Sequence, residues 1–178
     1  MYQRLQMTIN EKNLPIVSAS KLVSESNAEL SEVEYGLIIA NNAFSRWTEH
    51  CMSASGSEGL STNDILVLHN INHRDRAKRV TDICFTLNID DTHLVAYALR
   101  KLTKRNLVQG DKQGKEVFYT LTEEGAKLCE RYREIREHCL IKAFETLGVD
   151  HSELSELART LRSLSGLYDQ AARAATSF

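Results

Sequence analysis

The apolar positions of this chain repeat at helical spacing along most of its 178 residues and change to strand spacing once. Val33, Leu37, Ala40, Phe44, Trp47 and Cys51 recur in alternating steps of four and three, which predicts one amphipathic helix with a single long seam. Ser31-Glu32-Val33-Glu34 at its head reads as a capping box, and Ser53-Ala54-Ser55-Gly56-Ser57 as its end. A second helix opens at Ser61, with Asp64 favouring its positive end and Ile65, Leu66, Leu68 and Ile71 facing inward. A third is predicted over Arg76 to Leu87, with Val80, Ile83, Cys84 and Leu87 inward. After the tight turn Asn88-Ile89-Asp90, Asp90 or Asp91 caps a fourth helix. Its back is Val95, Ala98, Leu99 and Leu102; His93, Ala96, Tyr97, Arg100, Lys101 and Lys104 point elsewhere.

The period then changes. Asn106, which tolerates a left-handed cap, stops the fourth helix, and Leu107-Val108-Gln109 begins a strand. Gly110 to Lys115 supplies turn chemistry and Val117-Phe118-Tyr119-Thr120-Leu121 returns as a second strand. Thr122 caps a fifth helix whose seam, Leu128, Tyr132, Ile135, Cys139, Ala143, Phe144 and Leu147, runs to Gly148. Asp150 opens a sixth, in which Leu154, Leu157, Leu161, Leu164, Tyr168, Ala171 and Ala175 keep coiled-coil steps. Two helices joined by a short turn, then a strand, a basic turn and a strand, outline a winged helix. The expected fold class is mainly α with a small β-wing, a winged helix-turn-helix flanked by long dimerisation helices. The expected divisions are an N-terminal arm, partly ordered, over 1–30, a dimerisation helix over 31–56, the winged-helix module over 57–125 and C-terminal dimerisation helices over 126–178.

Residues 60 to 128 resemble the winged-helix domain of the MarR family of bacterial transcription regulators. The likeness rests on Leu121-Thr122-Glu123-Glu124-Gly125 and on Leu102-Thr103-Lys104-Arg105-Asn106-Leu107-Val108 before the wing. Asn106 stands where that family usually carries glycine, and Ala96 and Tyr97 replace a hydroxyl residue followed by arginine. Lys115 replaces the wing arginine, and Gln113 the acid before it. The resemblance implies the fold; the DNA sequence read by relatives does not transfer.

Charge distribution adds to this outline. The net charge is −2, yet His73 to Lys115 holds ten Lys/Arg against five acids, a local +5 that leaves −7 for the rest. A basic module in an acidic body is the footprint of a protein that turns one face to phosphate. Arg100 and Lys101 are the candidates for base edges or adjacent phosphates, with His93 and Tyr97 on the helix front and Lys104 and Arg105 on backbone. Lys112 and Lys115 belong to the wing and its minor groove, and Arg74, Arg76, Lys78 and Arg79 to phosphate contacts from the preceding helix.

The long seams exceed what so small a module buries. They predict a homodimer through the first, fifth and sixth helices, with Val33, Leu37, Leu154, Leu157, Leu161, Leu164 and Tyr168 in the interface; an intramolecular hairpin of the last two helices is the alternative. The resemblance implies the same dimer, a repressor on a pseudo-palindromic operator, and release by small aromatic acids; Tyr35, Phe44, Trp47 and His50 are candidates to line such a pocket. Double-stranded DNA, a second copy of the chain and a small aromatic effector are thus the expected partners, with no cofactor. The lack of a glycine-rich phosphate loop, a nucleophile elbow or a carboxylate pair speaks against an enzyme. His69 and His73 stand four apart but no third ligand follows. No apolar run approaches a membrane span and the N-terminus does not read as a signal peptide, so a cytoplasmic protein is expected. Cys51, Cys84, Cys129 and Cys139 lack Cys-x-x-Cys spacing and read as small hydrophobes. Thiol-based redox sensing through Cys51 or another thiol, and a winged helix that binds an acidic protein instead of DNA, stay open as alternatives.

Overall fold

A computed structural model describes residues 15–24, 26–73 and 76–178, so most of the expected N-terminal arm lies outside the described residues. The chain forms two compact units, Met1–Leu128 and Cys129–Phe178. In the first, a 3₁₀ turn at Ser20–Leu22 precedes α1 (Ala28–Ala54), α2 (Thr62–Asn72), α3 (Val80–Leu87) and α4 (Thr92–Lys104). The antiparallel pair β1 (Val108–Gln113) and β2 (Glu116–Leu121) follows, and then α5 (Glu123–Arg136), which ends in the second unit. A π-helical turn over Glu137–Ile141, the short α6 (Lys142–Glu145) and α7 (His151–Ala175) complete the second unit.

The core of the first unit is the three-helix heart of a winged helix. Ile65, Val67, Leu68 and Ile71 of α2, Ile83 of α3, and Val95, Ala98, Leu99 and Leu102 of α4 are all buried, joined by Leu107 and Val108 at the root of the wing. The expected apolar back of α4 is thus met residue for residue. In α2, Val67 is buried and Leu66 only half-buried. Burying side chains of this size contributes roughly 1.5–3 kcal/mol each against exposure, which holds three short helices together.

Local chemistry sets the ends of these helices. Ser61 Oγ accepts from Asp64 N while Asp64 Oδ2 accepts from Ser61 N at 2.9 Å, a reciprocal capping box in which Asp64 does more than favour the positive end of the helix. Asp91, rather than Asp90, caps α4 by accepting from His93 N at 2.8 Å. At its far end Leu107 N donates to Leu102 O and Asn106 N to Thr103 O, with Asn106 at φ 56°. That is a left-handed termination in which Asn serves where glycine is commoner.

Four boundaries differ from the sequence reading. Helix α1 begins at Ala28 under Asn27, whose side chain accepts from Leu30 N at 3.2 Å, so the expected cap at Ser31 lies one turn inside. Asn caps as well as Ser, and Ala-Glu-Leu extends the helix at little cost. Helix α3 begins at Val80, not Arg76, because Lys78 pairs with Tyr119 of β2 through both backbone groups (3.0 and 2.8 Å), drawing the segment into the sheet. Gly110 is a strand residue opposite Tyr119, and the wing turns at Gly114-Lys115. Gly114 has φ 64°, as a two-residue hairpin with glycine at its first position requires. Finally, the fifth helix is interrupted by the π-helical turn before Gly148 ends it at φ 64°. The α1 seam is also far less buried than its spacing suggests: Cys51 is buried, with Thr48 and Met52 beside it, whereas Val33, Ala40 and Phe44 are exposed.

Candidate nucleic-acid interface

Once α4 buries Val95, Ala98, Leu99 and Leu102, the opposite side of the helix is fixed by geometry. His93, Tyr97, Arg100 and Lys104 stand four, three and four residues apart and are all exposed, forming one line along the helix. The Arg100 guanidinium sits over the Tyr97 ring, 5.9 Å from its centroid, within cation–π range. The line therefore carries a partly pre-oriented guanidinium, and Ala96 beside it is only half-buried. Leu94, at the helix start, is exposed.

Not every basic residue of the region faces outward. Lys101 is turned inward: its ammonium lies 2.6 Å from Oδ2 of Asp64. Arg105 remains exposed, but its Nη1 donates to the carbonyl of Glu58 at 2.6 Å. Lys78 is 5% exposed, and its ammonium donates to the carbonyls of Asn70 and His73. Expected as a phosphate contact, Lys78 is instead committed to closing the C-terminal end of α2, where free carbonyls attract a cation. Arg76 is exposed, and Arg74 lies outside the described residues.

Arg79 joins the helix-turn-helix to the wing. Its guanidinium pairs with Asp82 of α3 and Glu116 of β2, each at 2.9 Å, and these partners hold it more firmly protonated than usual. The Arg79 side-chain and backbone donors pull Asp82 down to a pKa of about 2. A carboxyl that is more acidic folded than unfolded adds stability above the ordinary carboxylate range, near pH 4, and loses it as pH falls towards 2. The acid limb of the stability curve should accordingly flatten in Asp82→Asn, with little difference between variant and parent once both are measured at pH 2. Chemical denaturation across pH 2 to 6 checks this; parallel acid limbs would be the contrary result.

At the wing, Lys112 lies on β1 and Lys115 in the turn, both exposed. Gly110 leaves room across the ladder: a Cβ there would stand 3.0 Å from Val117 Cγ1 and 3.2 Å from the Tyr119 ring. The glycine lets the tyrosine lie over β1.

The α1 candidates are dispersed. Tyr35 and Trp47 are half-buried, and Phe44 and His50 are exposed. A cavity of about 370 Å³ lies elsewhere, at the junction of α2, β2 and the start of α5, with Ile71, Arg76, Thr120, Leu121 and Ala126 in its walls and none of those four residues. Among the thiols Cys51, Cys84 and Cys129 are buried and Cys139 is exposed; burial pushes Cys129 up to about 11 and raises Cys84 as well. Burial likewise lowers the pKa of His69. Among the described residues no cluster of three His, Cys, Asp or Glu side chains could hold a metal, and no helix is long and apolar enough to cross a membrane.

Sequence reading missed the inward turn of Lys101 and Lys78. One signal was present for the first: Lys101 follows the buried Ala98 by three residues and precedes Leu102, at the edge of the apolar stripe. None was present for the second, whose partners are backbone carbonyls.

Such a core, line and wing define a winged-helix domain, and residues 60–125 match the family model described as a winged helix DNA-binding domain. The chain has the fold of MarR-family transcription regulators. The structure of a MarR family regulator from Neisseria meningitidis is similar at a TM-score of 0.65 and 16% identity, covering 80% of this chain and 95% of that one. A mutant MarR from E. coli complexed with operator DNA gives 0.64 and 17%, covering 79% and 99%. CouR from Rhodococcus jostii RHA1 bound to p-coumaroyl-CoA gives 0.62 and 16%, covering 75% and 91%. Compared by sequence with curated proteins, the chain has no match.

Proposed function

We propose that this protein is a homodimeric, sequence-specific transcription regulator of the MarR type, acting as a repressor on a pseudo-palindromic operator. The observation that carries the reading is the exposed line His93–Tyr97–Arg100–Lys104 on a helix whose opposite face is wholly buried, followed by a lysine-bearing wing. One α4 from each subunit enters a major groove, half-sites one helical turn apart, and α3 crosses the backbone. Arg100 is the base-reading residue, with His93 and Tyr97 beside it. Lys104 and Arg76 contact phosphate, and Lys112 and Lys115 run along the minor groove. The dimer uses the exposed apolar side chains of α1 and α7, Val33, Leu157 and Leu161 among them.

Control by a small aromatic effector completes the proposal. A solved relative of this fold holds p-coumaroyl-CoA, and Tyr35 and Trp47 offer half-buried rings on α1. The alternative of a protein-docking winged helix draws support from Phe85 of α3, 90% exposed. The redox alternative rests on Cys139, the exposed thiol.

Binding to random-sequence duplexes across a salt series, followed by selection of the tightest binders, tests the reading. A pseudo-palindrome with half-sites about ten base pairs apart is the expected product. Arg100→Ala should narrow the gap between selected and random duplexes by roughly 1–3 kcal/mol for each half-site. Lys115→Ala should weaken all duplexes alike and lower the salt slope by about 0.9 for each subunit, about 1.8 for the dimer. Weak binding with no enriched sequence would overturn the proposal and favour a protein partner.

A further inference from the structure

Helix α4 sits in its domain on an apolar stripe, and apolar packing is weakly directional about the helix axis. Base readout is not: reading side chains need to be held within roughly 10–20° of the productive geometry. Something directional must therefore fix the roll of α4.

The polar contacts at the edge of that stripe have this form. Asp64 stands at the third position of α2 and is 1% exposed. Its Oδ2 accepts from Ser61 N at 2.9 Å, from Ser61 Oγ at 2.8 Å and from Lys101 Nζ at 2.6 Å. The carboxylate is itself anchored, because it closes the N-terminal box of α2, and Thr62 N is held from the other side by Glu49 Oε1 of α1 at 2.9 Å. Four residues beyond Lys101, one turn along the same edge of α4, Arg105 reaches the Glu58 carbonyl in the α1–α2 connection. Two struts one turn apart resist rotation in a way that leucines do not. Withdrawing Lys101 to meet phosphate would leave the buried Asp64 carboxylate with Ser61 as its remaining donor.

We infer that Lys101 and Asp64 are positioning residues for DNA recognition: their ion pair, half-buried on the lysine side and buried on the aspartate side, sets the roll of α4 with help from Arg105 and so aims His93, Tyr97 and Arg100. Lys101 is not itself a DNA contact. The inference rests on the DNA-binding reading above.

The test uses the full chain, a duplex selected by the wild-type protein and a random duplex. Lys101→Met should weaken the selected duplex by about tenfold or more, the worth of one base contact, while leaving random-duplex affinity and the salt slope nearly unchanged. Asp64→Asn gives the sharper contrast. It removes a negative charge, so a purely electrostatic effect would raise affinity for both duplexes, whereas loss of aim lowers affinity for the selected one only. The double variant should cost no more than the worse single variant, since either change removes the pair. Retained random-duplex binding and a helical melting transition show that each variant is folded.

A uniform loss in Lys101→Met with the slope down by about 0.9 per subunit, about 1.8 for the dimer, would make Lys101 a phosphate contact and overturn the inference. Unchanged selectivity in both single variants would overturn it too. If the wild type selects no duplex, the functional reading fails and this inference with it; selective wild-type binding with indifferent variants refutes the positioning role alone.

Discussion

Replacing Gly125 by alanine should destabilise this protein more than a methyl group added at any of its other described glycines. Alanine normally favours a helix over glycine by about 1 kcal/mol, so an exposed glycine in the first turn of α5 would gain stability from the change. At this position the sign reverses. The new Cβ would stand 2.0 Å from the Leu107 carbonyl oxygen and 2.9 Å from its carbon, and both are backbone. Nor can that backbone retreat easily. The same carbonyl accepts from Thr122 N at 3.2 Å, and Thr122 Oγ1 donates to the Asn106 carbonyl at 2.7 Å while accepting from Gly125 N at 3.0 Å. The Leu121-Thr122-x-x-Gly125 pattern is thus a clasp between the root of the wing and the start of α5. A loss of roughly 3 kcal/mol is expected, at the top of the range for overpacking, with Tm falling on the order of 10 °C. Thermal and urea unfolding measure it; an unchanged or higher Tm in Gly125→Ala would show that the two segments do not approach so closely.

The double substitution Leu157→Glu with Leu161→Glu should convert a dimer into monomers and abolish operator binding without unfolding the winged helix. Helix α7 contains no buried residue, although seven apolar side chains from Leu154 to Ala175 keep three-and-four spacing along it. Leu157 is 55% exposed and Leu161 39%. A stripe of leucines so placed gains nothing until a second surface covers it, and a charge in a covered stripe is stranded. At about 2 kcal/mol for each central residue, with two such residues changed in each subunit, the dissociation constant should rise by well over about a thousandfold. Sedimentation at low micromolar concentration reads the association, and titration with the selected duplex reads the consequence. Monomeric wild-type protein, or an unaffected dimer in the variant, would place the interface elsewhere and revive an intramolecular role for the stripe.

The parts legible from sequence were those governed by local rules. Ser61 at the head of α2, an aspartate before α4, and Asn106 after it follow from hydrogen bonds that close within a few residues, and were readable as letters at fixed spacing. Asp90 and Asp91 fitted the α4 cap equally until the structure chose Asp91. The buried back of α4 was equally legible, because a period of 3.6 leaves one solution for Val95, Ala98, Leu99 and Leu102. The cap of α1 was a local error, since Asn27 and Ser31 both fit the letters. The errors at α3 and the wing came where a residue's partner is distant in the chain. Arg76 to Arg79 looked helical until Lys78 found Tyr119, forty-one residues on, and joined the sheet. The strands ran past the apolar letters into Gly110–Gln113 because ladder bonds between backbones do not consult side chains.

By itself, then, the sequence determined the order of the main helices and strands, the caps of α2 and α5, the left-handed stop of α4, and which face of α4 is apolar, since all of these depend on near neighbours. Which of the basic residues remain free was decided only by the tertiary structure. A lysine's letter records a charge and a long stem; whether that charge meets solvent depends on what the fold brings within reach. For Lys101 that was a carboxylate thirty-seven residues away, and for Lys78 two carbonyls at the end of α2.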